Sequence, residues 1–376
     1  HTEPPTGYLA LCTANLPEPT IGANSNTQTT DYFNTILWTG DGADDRSISG
    51  VGFQPDWVWL KQRNGTNYHT FFDSTRGATK ALSANDTENE QTNADTLQAF
   101  ESDGFEVGTS GGVNGNNNTF VAWNWKANGG VATASASEVD NANPAYSQQA
   151  NPTAGFSIIT YTGTGANATI PHGLTLAPEL IITKSRSDAD NNYVYSKYAA
   201  ASNPEQYELY LNLALASYRA SDNTRAWNAT LPTTSVFSLG DTDGTNEDGD
   251  NYVAYCFHSI DGYSKFGTYV ANDDADGPFV YTGFRPSFIM VKSSTNSHSW
   301  NIQDIKRADA FNADGNAVNP IDHTLLPNTN ATEYESANDV DFLSNGFKLR
   351  MNYSNNDPGT FFYMAFGESF KYANAR

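Results

Sequence analysis

The run "DTDGTNEDGD" at 241–250 sets carboxylates at Asp241, Asp243, Asp248 and Asp250 around glycine turns. Oxygen ligands at alternate positions suit Ca²⁺, but the twelve-residue EF-hand pattern and its helices are missing. The run therefore reads either as a solvated acidic turn or as a structural Ca²⁺ loop. "TGTGANA" matches G-x-G-x-x-A through Gly163, Gly165 and Ala168. A dinucleotide site would need a helix to follow and hold the pyrophosphate. "TIPHGL" follows instead, without helical period, and predicts a turn. The histidines His1, His69, His172, His258, His298 and His323 form neither H-x-H nor H-E-x-x-H, the spacings a zinc site uses. There is no G-x-S-x-G elbow, and no repeated Asp/Glu pair marks a glycosidase. No catalytic residue is assigned, and the chain is expected not to be an enzyme. Loop side chains that could bind a glycan are Arg63, Asn64, Tyr68, His69, Arg76, Trp227 and Trp300.

The formal charge is −22, from 20 basic and 42 acidic residues. Such a surface repels nucleic acid and anionic membranes. No apolar run reaches membrane-spanning length. The two cysteines, Cys12 and Cys256, do not make a disulfide framework. Cys256 sits in the apolar run "NYVAYCFHS" and is expected as a small buried hydrophobe. No signal peptide is visible, and the chain opens at His1, as a fragment or processed product would. Asn-x-Ser/Thr sequons matter only if the source glycosylates secreted chains.

Self-comparison reveals the elements that must position these residues. "VGFQPDWVWLK" at 51–61 recurs as "LTLAPELIITK" at 174–184 and "YTGFRPSFIMVK" at 281–292. Pro55, Pro178 and Pro286 each precede a lysine (Lys61, Lys184, Lys292) by six positions. Trp38, Tyr161 and Tyr269 lie 17 positions before those prolines, and Asp73, Ser196 and Asp304 lie 12 after the lysines. That last position alternates Asp with Ser, which suits a structural turn better than a catalytic acid. "FVAWNW", "YVAYCF" and "YMAFGE" close the copies, with Ala122, Ala254 and Ala365 aligned.

The copies predict an all-β chain of tandem antiparallel, jelly-roll or lectin-like sandwiches from a threefold internal repeat. The expected organisation is an extended segment at 1–30, sandwiches at 31–130, 152–262 and 263–376, and a linker or arm at 131–151. Tyr8, Leu9, Leu11 and Leu16 would hold the first segment down. Trp57 and Trp59 resemble a sugar platform when read alone. Their counterparts are Leu180 and Ile182, and Phe288 and Met290. Both strand faces are apolar in every copy, which predicts core. The lysines are expected to snorkel or to pair with carboxylates. "PEQYELYLNLALASYRA" at 204–220 alternates Tyr207, Leu209, Leu211, Leu213 and Leu215, and reads as strand.

"NTILWTGDGADDRSISGVGFQPDWVWLKQRNGTNYHTFFDSTRGATKAL", "SDGFEVG" and "NTFVAWNWKANGG" resemble a domain found in predicted tail-fibre and other virion proteins of marine tailed phages. "FSIITYTGTGANATIPHGL", "APELIITKSRS", "YTGFRPSFIMVK" and "NGFKLR" carry the same resemblance. "PPTGYLALCTANLPEPTI" is similar to the segment that joins this domain to an upstream lectin-like one. The resemblance implies concanavalin-A- or laminin-G-like sandwiches in a fibre, spike or decoration at a virion surface. It implies other virion subunits as partners, homo-oligomers with trimers favoured, and host glycans as possible targets. A lectin-like module, a polysaccharide depolymerase and a cellular extracellular filament or surface protein are the rival readings.

Overall fold

The computed structural model describes residues 21, 27–137, 144–219, 226–308, 317–335, 340–352 and 354–367. Tyr8, Leu9, Leu11, Leu16 and Cys12 lie outside the described residues.

The first segment contains β1 (Phe33–Thr39), β2 (Arg46–Ser49), β3 (Trp57–Gln62), β4 (Thr70–Asp73), β5 (Lys80–Ser83), β6 (Gln91–Thr92), β7 (Leu97–Glu101), β8 (Gly104–Val107) and β9 (Thr119–Trp125). The second contains β10 (Ala134–Ala136), β11 (Tyr146–Asn151), β12 (Phe156–Thr162), β13 (Ala168–Pro171), β14 (Leu180–Ser185), β15 (Tyr193–Ser196), β16 (Tyr207–Tyr210), β17 (Tyr218–Arg219), β18 (Val236–Leu239) and β19 (Asn251–Phe257). The third contains β20 (Ser264–Ala271), β21 (Phe279–Tyr281), β22 (Pro286–Ser293), β23 (Asn301–Asp304), β24 (Val340–Leu343), β25 (Gly346–Leu349) and β26 (Gly359–Gly367).

Each segment is a two-layer sandwich. The inner sheets share one strand order: β1-β9-β3-β4, β12-β19-β14-β15 and β20-β26-β22-β23. The outer sheets are β2-β8-β7, β13-β18 and β21-β25-β24. Between the layers lie separate cores, built around Val58 and Phe105, Ile181 and Phe237, and Ile289 and Phe347. The opposite faces of the inner sheets meet in one common core. It joins Trp57, Trp59, Trp123 and Trp125 to Ile182, Tyr255 and Phe257, and to Phe288, Met290 and Phe366. Ile21 is buried there too. The both-faces-apolar pattern is explained by these two cores. Trp57 has no exposed surface and stacks on Tyr255 of the second segment at 4.4 Å. It is not a sugar platform.

One aromatic pair recurs between the first and last inner strands of each segment. Trp38 stacks on Phe120, Tyr161 on Tyr252, and Tyr269 on Phe361, with interplanar angles of 16°, 16° and 8°. The polar end of each upstream ring donates to a carbonyl, of Val113, Thr245 and Asn355 respectively. The following residue is each time a buried asparagine: Asn114, Asn246 and Asn356. Its side-chain amide donates to carbonyls of the turn after the first strand, at Ala43, Ala166 and Asp274. The "TGTGANA" glycines belong to this turn. Gly165 takes φ +63°, and a Cβ at Gly163 would lie 2.0 Å from the Glu247 carbonyl oxygen. A strand, not a helix, follows.

Three expectations change. Ala365 does not occupy the place of Ala122 and Ala254. Met290 pairs with Met364 as Trp59 pairs with Trp123 and Ile182 with Tyr255, so Tyr363 stands there. Its bulk is accommodated because Gly267 lies opposite, where the other segments have Ile36 and Ile159. The 131–151 stretch carries β10 and β11, and β11 adds itself to the edge of β12. In the 204–220 run, strand structure covers Tyr207–Tyr210 and Tyr218–Arg219, while Leu215 is exposed.

Candidate functional site

Two clusters of buried charged side chains lie where one segment meets another. At the end of β4, Asp73 accepts from the backbone N–H of Arg76 and pairs with its guanidinium at 2.5 Å, both side chains wholly buried. Tyr255, from β19 of the second segment, donates its hydroxyl to Asp73 at 2.7 Å. Glu90 bridges Arg76 and Arg186 of the second segment, at 3.0 and 2.8 Å.

The seam between the third segment and the first repeats this arrangement. Asp304 at the end of β23 pairs with Arg307 at 2.6 Å, both wholly buried. Trp123, from β9 of the first segment, donates its indole N–H to Asp304 at 2.9 Å. Glu333 bridges Arg307 and Arg63 of the first segment, at 2.7 and 2.6 Å. Even the backbone contact is the same: the Glu90 N–H donates to the Arg186 carbonyl, and that of Glu333 to the Arg63 carbonyl.

At the seam between the second and third segments neutral residues replace the acid–arginine cluster. Ser196 and Ala199 replace the Asp–Arg pair, and Met364 takes the register of Tyr255 and Trp123. Ser294 stands two residues after Lys292, where Arg63 and Arg186 follow their lysines. Ser217, in place of the bridging glutamate, donates both its N–H and its hydroxyl to the Ser294 carbonyl. Donor, acceptor and bridging acid have all changed together. An aspartate buried without its arginine would cost several kcal/mol, so partial replacement is unfavourable.

Burial and charge set the titration of these groups. Glu90 and Glu333 are held below the usual carboxylate range: burial opposes this, but their arginine partners outweigh it. Burial, with the nearby Asp73 charge, pushes the Tyr255 hydroxyl well up, so it stays a neutral donor. His69 is driven well below its ordinary value by burial, then by the charges of Lys61 and Arg307.

The lysines do not snorkel. Lys61, Lys184 and Lys292 are buried. Lys184 donates to the carbonyls of Asp190 and of Asp86 in the first segment. Lys292 donates to those of His298 and of Ala214 in the second segment, and Lys61 donates to those of Gln62 and Gly65. Burial lowers Lys61 and Lys184 to about 8 and Lys292 to about 7. Between these values and the unfolded-state value of 10.5, the unfolded chain binds more protons. Stability is therefore expected to rise as the pH climbs from about 7 toward 10. Lys292→Met should flatten part of that slope in urea titrations at stepped pH; an unchanged slope would show that Lys292 does not contribute.

Most of the loop residues expected to bind a glycan have other work. His69 accepts from the Trp59 indole at 3.0 Å, and Arg76 lies in the first ion cluster. Trp300 donates to the Tyr210 carbonyl of the second segment, and Trp227 packs edge-on against Tyr195. These four are buried and have no open face for a sugar. Arg63 is tied to Glu333, and Asn64 accepts from the Thr119 N–H. Tyr68 is exposed, beside Asp86. The set is thus split between seams, an outer core and one loop.

The acidic run does not converge on one point. Asp243 opens a single helical turn, Asp243–Asn246, while Asp241 and Asp248 are exposed. Glu247 is raised by the hydrogen bond it shares with Asp243, and Asp250 is raised first by burial and then by its hydrogen bond with Asp188. Among the described residues no group of three or more His, Cys, Asp or Glu could hold a metal. Cys256 is buried at the Ser157 hydroxyl, which leaves it a small core residue with a raised pKa. Surface cavities are shallow. Two of them have volumes of about 360 Å³ at Leu215, Tyr218 and Ser297, and about 320 Å³ beside Tyr146 and Arg186.

Sequence reading missed the bridging glutamates and the buried asparagines. The usable signal was Asp-x-x-Arg in "DSTR" and "DIKR", set against "SKYA" in the second copy.

Among the described residues no helix is long and apolar enough to cross a membrane. No curated protein and no solved structure matches the chain. The family model described as a domain of unknown function (DUF7483) matches residues 28–370, nearly the whole chain, which therefore belongs to that family.

Proposed function

We propose that the chain is a non-enzymatic structural protein of a virion surface, a fibre, spike or decoration subunit that displays sandwich faces toward a host. The observation that carries this reading is where the ionisable side chains are used. The Asp73–Arg76–Glu90 and Asp304–Arg307–Glu333 clusters lock segment to segment through Tyr255 and Arg186, and through Trp123 and Arg63. The resulting body is suited to rigid display. Its net charge of −22 suits a surface that must stay soluble at high local density. In this reading its partners are neighbouring virion subunits, with a homotrimer favoured, and host surface glycans.

The test is to purify particles from the source and identify their proteins by mass spectrometry, with immunogold labelling. The chain is expected on the particle exterior. Finding it only as a free soluble protein would reject the reading, and a cellular filament carrying it would favour the extracellular-filament alternative. Release of reducing ends from a host polysaccharide would favour the depolymerase instead.

A glycan-binding role is the second reading. It is favoured by a pair of exposed aromatic rings on the third segment.

A further inference from the structure

We propose that the outer face of the β21-β25-β24 sheet binds the pyranose rings of a glycan, on a platform made by Phe279 and Tyr281. This deepens the display reading by giving the displayed body a recognition face, and it rests on that reading only for its biological setting.

Phe279 and Tyr281 are 46% and 64% exposed, whereas Val280 between them is buried. The two rings thus share the outer face of one strand, about 7 Å apart along it, twice the rise per residue. Their pose is set by glycine. A Cβ at Gly346 would come within 2.9 Å of Cε2 and Cζ of Phe279, so that ring lies over the glycine. A Cβ at Gly283 would lie 3.6 Å from the Tyr281 hydroxyl, so the second ring also borders on a glycine. A ring laid against backbone turns its other face to water. That face is the electron-rich one, and the C–H groups of a pyranose stack on it while burying apolar area.

Fixed polar groups border the rings, as a sugar site requires. Phe279 pairs with Lys348 and Tyr281 with Gly346, so Lys348 shares their face. Lys348 is held by Asp276 at 2.8 Å and by the Gly277 carbonyl at 2.6 Å. On the next strand Asp341 is opposite Lys348 and is gripped by Arg350 at 2.5 Å. Lys348 positions the exposed Asp276 carboxylate before any ligand arrives, which leaves it open to take a sugar hydroxyl, whereas Asp341 is buried and serves to hold Arg350.

The test uses the whole chain and its Phe279→Ala/Tyr281→Ala variant. Both are applied to an array of pyranose oligosaccharides, then studied by saturation-transfer NMR with the methyl glycosides of glucose, galactose, mannose and N-acetylglucosamine. Both residues are exposed, so the melting temperature should not change. Wild type should bind, and the variant should lose roughly tenfold or more in affinity. Silence of wild type on every glycan, or equal binding by the variant, would overturn the proposal. So would a wild-type dimer that the variant dissolves, since the rings would then cover a second copy. Particles that carry a chain with a silent platform would overturn this proposal alone. A glycan-binding chain absent from particles would overturn the display reading alone.

Discussion

Replacing Arg307 with methionine is expected to lower the stability of the folded chain by about 3–5 kcal/mol, the usual result of stranding a buried charge. Methionine keeps much of the bulk, so the loss isolates the charge. Asp304 would keep its Trp123 and backbone donors but lose its cation. Glu333 would keep Arg63 and the nearby His323 but lose its wholly buried partner. Arg76→Met should act alike through Asp73 and Glu90. The neutral seam supplies the control. Changing Asp304 to Ser, Arg307 to Ala, Glu333 to Ser, Arg63 to Ser and Trp123 to Met together copies what the second and third segments already use. That five-fold variant strands neither Asp304 nor Glu333, so its loss should come from the cavity left at Trp123 and Arg307 rather than from an unpaired carboxylate. Urea unfolding at fixed pH measures both. If the single variant lost less than about 1 kcal/mol, the value of an exposed pair, the seam cluster would not be structural.

A chain of residues 27–137, the first segment alone, is expected not to persist as a folded monomer. Its inner sheet would present Phe33, Trp57, Trp59, Phe71, Val121, Trp123 and Trp125 to water. Each costs about 1.5–3 kcal/mol to leave exposed, so the sum is on the order of 10–20 kcal/mol. A folded domain holds only about 5–15 kcal/mol in total. The fragment should aggregate or associate through that face, and light scattering after gel filtration would show it. A stable monomer with sharp near-ultraviolet dichroism would mean the segments are independent beads.

Much of this architecture was legible in the sequence because burial leaves a pattern. The proline-to-lysine spacing located β3, β14 and β22, and apolar residues on both faces of each strand located their core role. The pattern could not say what covered the second face. Trp57 reads identically whether its partner is an outer layer or Tyr255 of another segment. The lysines misled for a related reason. A lysine at a strand end ordinarily snorkels, but the carbonyls that hold Lys184 and Lys292 are contributed partly by a neighbouring segment. Trp300 resembled a loop ligand because its acceptor, the Tyr210 carbonyl, is distant in sequence, and His69 because nothing in the spacing shows that it accepts from the Trp59 indole. Phe279 and Tyr281 were passed over because strand alternation marks a face without saying which one water reaches.

The segments should unfold as one cooperative body, joined by the common core and by two ionic seams and one neutral seam. Differential scanning calorimetry of the whole chain tests it most directly. A single transition is expected, with calorimetric and van't Hoff enthalpies that agree. Two or three resolved transitions, each with the enthalpy of a segment of about 100 residues, would contradict it.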